Sequence, residues 1–232
     1  MEIGTVEKPK VVLIVGAHPD DTEFACGGTL ARWTEQGCDV HYLVCTTGDK
    51  GSKDLEMTGD RLAAIREVEQ REAARRIGAA EVTFLREPDG EFDPGLRNRE
   101  RIARIIRALK PDVLMVHDPW RRYQLHPDHR NAGLCTLDAV VAARDHLFFP
   151  HLMKEGLMPF TVPDILLFGT DDANAWTDIS ATIDRKVEAL KAHDSQVCRI
   201  PDLKGRIQEW ASRVGQLHGL ELAEEFHRIE QR

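Results

Sequence analysis

Short β-branched apolar runs recur along this chain with helical stretches between them, a rhythm that demands a parallel sheet covered by helices. Residues 11–15 end at Gly16 without polar alternation, which reads as a strand buried on both faces. Residues 22–36 have helical spacing and stop at Gly37, and residues 39–46 are strand-like again. Asp60 is expected to cap a helix over 61–77 that Gly78 terminates, before a third strand over 82–85. A helix over 96–109 stops ahead of Pro111, and a fourth strand over 112–117 runs into the segment DPWRRYQLHPDHR. Beyond it the pattern predicts a helix near 128–144, a strand over 164–168, a helix from 179 to about 193, and amphipathic segments near 202–214 and 220–229. The expectation is one α/β domain over 1–232, Rossmann-like and three-layered (α/β/α), with a mostly parallel sheet, right-handed crossovers and a helical C-terminal segment over 200–232.

With 42% apolar and 30% charged residues, such a chain can fill one sizeable core. Its formal net charge of -8 argues against nucleic acid or anionic lipid as a partner. The first apolar run is too short for a signal-peptide core or a membrane span, so no membrane insertion is expected. Five scattered cysteines without a CxxC favour neither disulfides nor a thiolate metal site, and a cytoplasmic location is expected.

The tripeptide His-Pro-Asp occurs twice, as HPDD at 18–21 and HPDH at 126–129, each just beyond a predicted strand. In the common strand order 3-2-1-4-5, strands one and four are neighbours at the switch point, where a crevice opens at their carboxyl ends. Two imidazoles with one carboxylate leave a zinc coordination position open for water. His18, Asp21 and His129 supply that set. Asp20 and His126 then sit close enough for one to take a proton from water and the other to face a developing oxyanion. The spacing leaves open which of Asp20 and Asp21 is the ligand. Either motif alone has a plainer explanation, with Asp20, Asp21 or Asp128 capping the helix that follows. Gly27 and Gly28, inside a predicted helix, imply a close approach by a neighbouring element. Of the four tryptophans, only Trp120 lies beside the HPDH loop and is expected to line a pocket.

The stretch AHPDDTEFACGGTLARW at 17–33 resembles the AHPDDxE signature that opens LmbE-like, PIG-L-type N-acetylglucosaminyl deacetylases. TTGDKGS at 46–52, the arrangement of Arg66, Glu69, Ala73, Ala74 and Gly78, FLREPDGE at 84–91, HPDHR at 126–130 and KVEALKAHDSQ at 186–196 resemble further blocks of that family, in order. The resemblance implies that His18, Asp21 and His129 bind one Zn2+ per subunit and that Asp20 is the general base. It implies that His126 stabilises the oxyanion or acts as acid, and that Arg66 and Asp89 face the substrate sugar, where a guanidinium and a carboxylate suit hydroxyl recognition. Some relatives carry a Tyr two residues before the HPDH motif; Gln124 stands there in this chain, with Tyr123 one place earlier. His193 falls in a family block and is expected to be structural or to support another residue rather than to bind metal. The implied activity is zinc-dependent N-deacetylation of an N-acetylated amino sugar or a small conjugate of one, by a possible homo-oligomer. Residues 147–163 are expected to shape specificity. Two rival readings are an iron oxygenase built on two His and one carboxylate and a non-catalytic Rossmann-like binding module. The first suits antiparallel barrels rather than this alternation, and the second lacks a GxGxxG after strand one.

Overall fold

The structure is a computed structural model that describes residues 8–231. Its elements in chain order are β1 (Val11–Gly16), α1 (Asp21–Glu35), β2 (Asp39–Thr46), α2 (Gly59–Ile77), β3 (Glu81–Glu87), α3 (Leu96–Leu109), β4 (Val113–His117) and α4 (Pro127–Arg144). There follow α5 (His151–Lys154), β5 (Asp164–Phe168), β6 (Ala175–Asp178), α6 (Ile183–Leu190), α7 (Asp194–Val197), α8 (Leu203–Leu217) and β7 (Ala223–Glu230).

The sheet runs β3-β2-β1-β4-β5-β7-β6. The first five strands are parallel, and β7 pairs antiparallel with both β5 and β6. Alternation along β1 explains the covering layers: Leu13 and Val15 face α3 and α4, while Val12 and Ile14 face Leu30 and Trp33 of α1 and Ala74 and Ile77 of α2. Each such Val, Leu or Ile, fully buried, contributes about 1.5–3 kcal/mol. Gly78 closes α2 at φ 90°, its N–H bonded to the Ala74 carbonyl. No helix among the described residues is long and apolar enough to cross a membrane.

Three expectations need correction. The α2 cap is Thr58, whose side chain accepts the Arg61 N–H, rather than Asp60. The helix expected over 179–193 is confined to Ile183–Leu190, because β6 precedes it and Ile179 still donates its N–H to the Leu222 carbonyl beyond the last β6–β7 pair. The C-terminal segment is helical only through α8; the stretch expected as a helix near 220–229 is mostly the strand β7. Leu222, Phe226 and Ile229 do recur at helical spacing, but sheet pairing on both sides overrides that local pattern.

Gly27 and Gly28 have the neighbours their position implied. A Cβ on Gly28 would lie 2.7 Å from Ile179 Cβ, and one on Gly27 would lie 3.0 Å from Lys186 Cγ. Glu224 of β7 accepts the N–H groups of Gly28 and Thr29 and pairs with Lys186 Nζ at 2.6 Å, so that α1, α6 and β7 are joined beneath the site.

Candidate metal centre

Strands β1 and β4 lie side by side in register, Val12 opposite Val113 and Val15 opposite Val116, so the loops leaving their carboxyl ends share one crevice. HPDD leads from β1 into α1, and HPDH opens α4 after β4. Gly133 lets α4 come close enough: a Cβ there would be 2.6 Å from the His117 carbonyl oxygen and 2.9 Å from Pro119 Cβ.

Within the crevice His18 Nδ1 stands 3.2 Å from His129 Nε2 and 3.3 Å from Asp21 Oδ2, and His129 Nε2 stands 3.2 Å from Asp21 Oδ1. Tetrahedral ligands at zinc bond lengths are separated by about 3.3 Å, so these spacings suit one cation held between the two imidazoles and the Asp21 carboxylate, whose two oxygens each face one ring. Asp21 Oδ2 also accepts the His18 N–H at 2.7 Å and lies 3.1 Å from His117 Nε2, which leaves Oδ1, beside His129, as the less engaged oxygen. His18 is oriented from behind: its Nε2 meets Asp128 Oδ2 and Asp89 Oδ1, each at 3.1 Å. Asp128 is fully buried and itself fixed by the N–H groups of Gly90 and Phe92. Among the described residues, donor atoms close enough to share a cation fall into three overlapping groups: His18, His126 and His129; His18, Asp89, His126 and Asp128; and Asp21, His117 and His129.

The electrostatics call for positive charge. Burial pushes the His18 imidazole toward neutrality, yet the carboxylates of Asp128, Asp21 and Asp89 outweigh it and raise the pKa to about 12. Burial also disfavours the Asp21 carboxylate, but His117, His129 and His18 hold its pKa well below the usual range. Burial raises Asp20 to about 6, against the pull of the Arg66 guanidinium.

Arg66 is 3% exposed, not a solvated helix charge. Its guanidinium donates to the carbonyls of Gly48 and Pro19 and lies 3.2 Å from Asp20 Oδ2. A Cβ on Gly48 would stand 2.2 Å from that guanidinium, which explains one glycine of TTGDKGS. Asp89 faces His18 and, at 3.7 Å, His126 Nε2. His126 rather than Asp128 caps α4, its Nδ1 accepting the Asp128 N–H at 3.3 Å. An imidazole whose Nδ1 accepts carries its proton on Nε2, so His126 offers a donor on the side facing Asp89.

Two residues of the centre are not read as part of it from sequence: His117, which goes unremarked there, and Asp128, which reads there only as a helix cap. The signal for His117 is a histidine ending an otherwise apolar strand at the switch point; for Asp128 it is membership of the repeated tripeptide. Asp21, His117 and His129 of the centre also line a cavity of about 510 Å³, together with Phe24, Gln124 and Trp210. Trp120, expected to line a pocket, is instead 64% exposed and outside that wall.

A family model described as PIG-L, GlcNAc-PI de-N-acetylase, matches residues 13–140. A diacetylchitobiose deacetylase of Thermococcus kodakarensis is 34% identical over 187 residues, spanning 81% of this chain and 70% of its own. A 1D-myo-inositol 2-acetamido-2-deoxy-alpha-D-glucopyranoside deacetylase of Saccharomonospora viridis is 31% identical over 233 residues, spanning 82% of this chain and 87% of its own. The solved N,N'-diacetylchitobiose deacetylase of Pyrococcus horikoshii matches with a TM-score of 0.90 at 30% identity, covering 96% of this chain and 84% of that one. On a match that takes in both His-Pro-Asp motifs and more than half the sequence, the chain belongs to the PIG-L family of de-N-acetylases.

Proposed function

We propose that this chain is a zinc-dependent N-deacetylase that hydrolyses the acetamide of an N-acetylated amino sugar or a small conjugate of one. The observation that carries the reading is the convergence of His18 Nδ1, His129 Nε2 and the two oxygens of the Asp21 carboxylate, at separations of 3.2 to 3.3 Å, beside Asp20 and His126. The relatives named above act on substrates of this kind by their names.

His18, Asp21 and His129 would hold the zinc, which when bound polarises the acyl carbonyl and makes a water acidic enough to attack at neutral pH. Asp20 accepts the proton of that water, and Arg66 keeps its carboxylate aimed and ionised. The Nε2–H of His126 donates to the oxyanion as the carbonyl carbon becomes tetrahedral. The departing amine takes its proton from Asp20 or His126. Asp128 holds the His18 ring through Nε2, which leaves Nδ1 for the zinc it would bind. Asp89 faces the same space and offers an acceptor to a sugar hydroxyl. The bonds of Arg66 run to the protein's own carbonyls and to Asp20, so we assign it to holding the base rather than to contacting sugar. The five free thiols suit a reducing, cytoplasmic setting, and assembly into a homo-oligomer is part of the same reading.

The test is metal analysis of the purified protein, followed by free-amine release from a panel of N-acetyl amino sugars and their conjugates. Zinc near one per chain with amine release is expected. Iron with oxygen consumption, or no bound metal, overturns the assignment.

A further inference from the structure

Asp20 sits at φ 99° and ψ −28°, a conformation an L residue rarely adopts, and its side chain makes no capping bond to α1. Something outside the loop must hold it there. Its N–H donates to Gln70 Oε1 at 3.0 Å. Gln70 Nε2 donates in turn to Glu23 Oε1 at 2.8 Å, and the other oxygen of Glu23 lies 3.3 Å from His193 Nε2. Gln70, Glu23 and His193 are all 0% exposed. Because an ionised carboxylate only accepts, Glu23 forces the Gln70 amide to turn its nitrogen inward and its oxygen toward Asp20. Arg66, one turn before Gln70 on α2, grips the Asp20 carboxylate, so one helix face holds both backbone and side chain of this residue.

His193 is delivered by a docked segment. The N–H and Oγ of Ser195 each donate to the Glu69 carboxylate at 2.7 Å, which seats the residues around α7 on α2 beside Gln70. The charged groups acting on His193 are Glu23, Asp20 and Glu69, all acidic.

We propose that His193, Glu23 and Gln70 are positioning residues that fix the attitude of the Asp20 carboxylate, so that the AHDSQ segment acts on catalysis without touching substrate or metal. The inference rests on the reading of Asp20 as the base. Its test uses the zinc-loaded chain carrying Gln70→Leu, His193→Asn or both, with kcat and KM measured on an N-acetyl amino sugar that the wild type cleaves. Zinc content and folded fraction are read alongside. Zinc is expected to stay near one per chain and KM to shift less than about threefold. By contrast kcat should fall about 10- to 100-fold, the scale of an ångström-sized misplacement. The double variant should be no slower than Gln70→Leu alone, because the residues act in series. A Gln70→Leu kcat within about twofold of wild type, or losses that multiply, overturns the relay. Gln70→Leu decides the matter by itself if His193→Asn does not fold. A zinc-loaded wild type that cleaves no N-acetyl amino sugar instead removes the reading of the site, and the relay with it.

Discussion

Asp20 and Asp21 are adjacent carboxylates with opposite electrostatic fates. Burial lifts Asp20 to about 6, whereas three imidazoles hold Asp21 far down despite its burial. The first suits proton transfer and the second permanent ligation. Asp20→Asn is therefore expected to retain zinc while turnover falls about 10²- to 10⁴-fold, the range of a lost general base. Asp21→Asn should lose the metal. Metal analysis beside kcat checks both, and a metal-free Asp20→Asn protein would exchange the two roles. That His18, Asp20, Asp21, His126 and His129 share one crevice was legible in the sequence because one tripeptide recurs at two strand ends that the topology makes neighbours. Asp128 was not, for its local context reads as a helix cap, and what it does depends on Gly90, Phe92 and His18 across the crevice. His117 was hidden likewise, as the last residue of an apolar strand whose partner, Asp21, lies far off in sequence.

Among the elements, the parallel half of the sheet was readable because each of its strands is a β-branched or apolar run bounded by glycine, proline or a charged turn. The antiparallel edge was not. β6 is a four-residue strand, and β7 carries helically spaced apolar residues that only its two neighbours convert into a strand. The element contact on which the site most depends is α4 against the end of β4. Gly133→Ala would place a methyl group 2.6 Å from a backbone carbonyl oxygen, which cannot rotate away as a side chain can. Overpacking of this kind costs roughly 1–3 kcal/mol. Here it also shifts the N-terminal turn of α4 that carries His129. The expected result is a lower melting temperature together with weaker zinc binding in a competition titration. A variant that loses stability but binds zinc as tightly as the wild type would uncouple this contact from the site.

At the scale of the whole molecule, donors from the loops after β1 and β4 meet in one crevice, so a cation bound there would tie together segments that the sheet alone leaves as separate loops. A ligand that binds only the folded state, at 1,000 times its Kd, adds about 4 kcal/mol. For a chain of this size that is roughly 8–16 °C in melting temperature, and chelation is expected to remove it. The metal-free protein then isolates a second dependence, on pH. Burial opposes a charged His193, but Glu23, Asp20 and Glu69 outweigh it and raise its pKa above 6.5. A histidine with a raised folded-state pKa stabilises most below its unfolded value and loses that contribution as pH climbs through the folded one. With chelator present, the melting-temperature gap between wild type and His193→Gln should therefore be widest below about pH 6.5 and narrow as pH rises through the raised folded-state pKa, leaving only the constant loss of packing. A gap that widens with pH would mean that His193 is buried neutral, its Nε2–H held by Glu23 without a charge of its own.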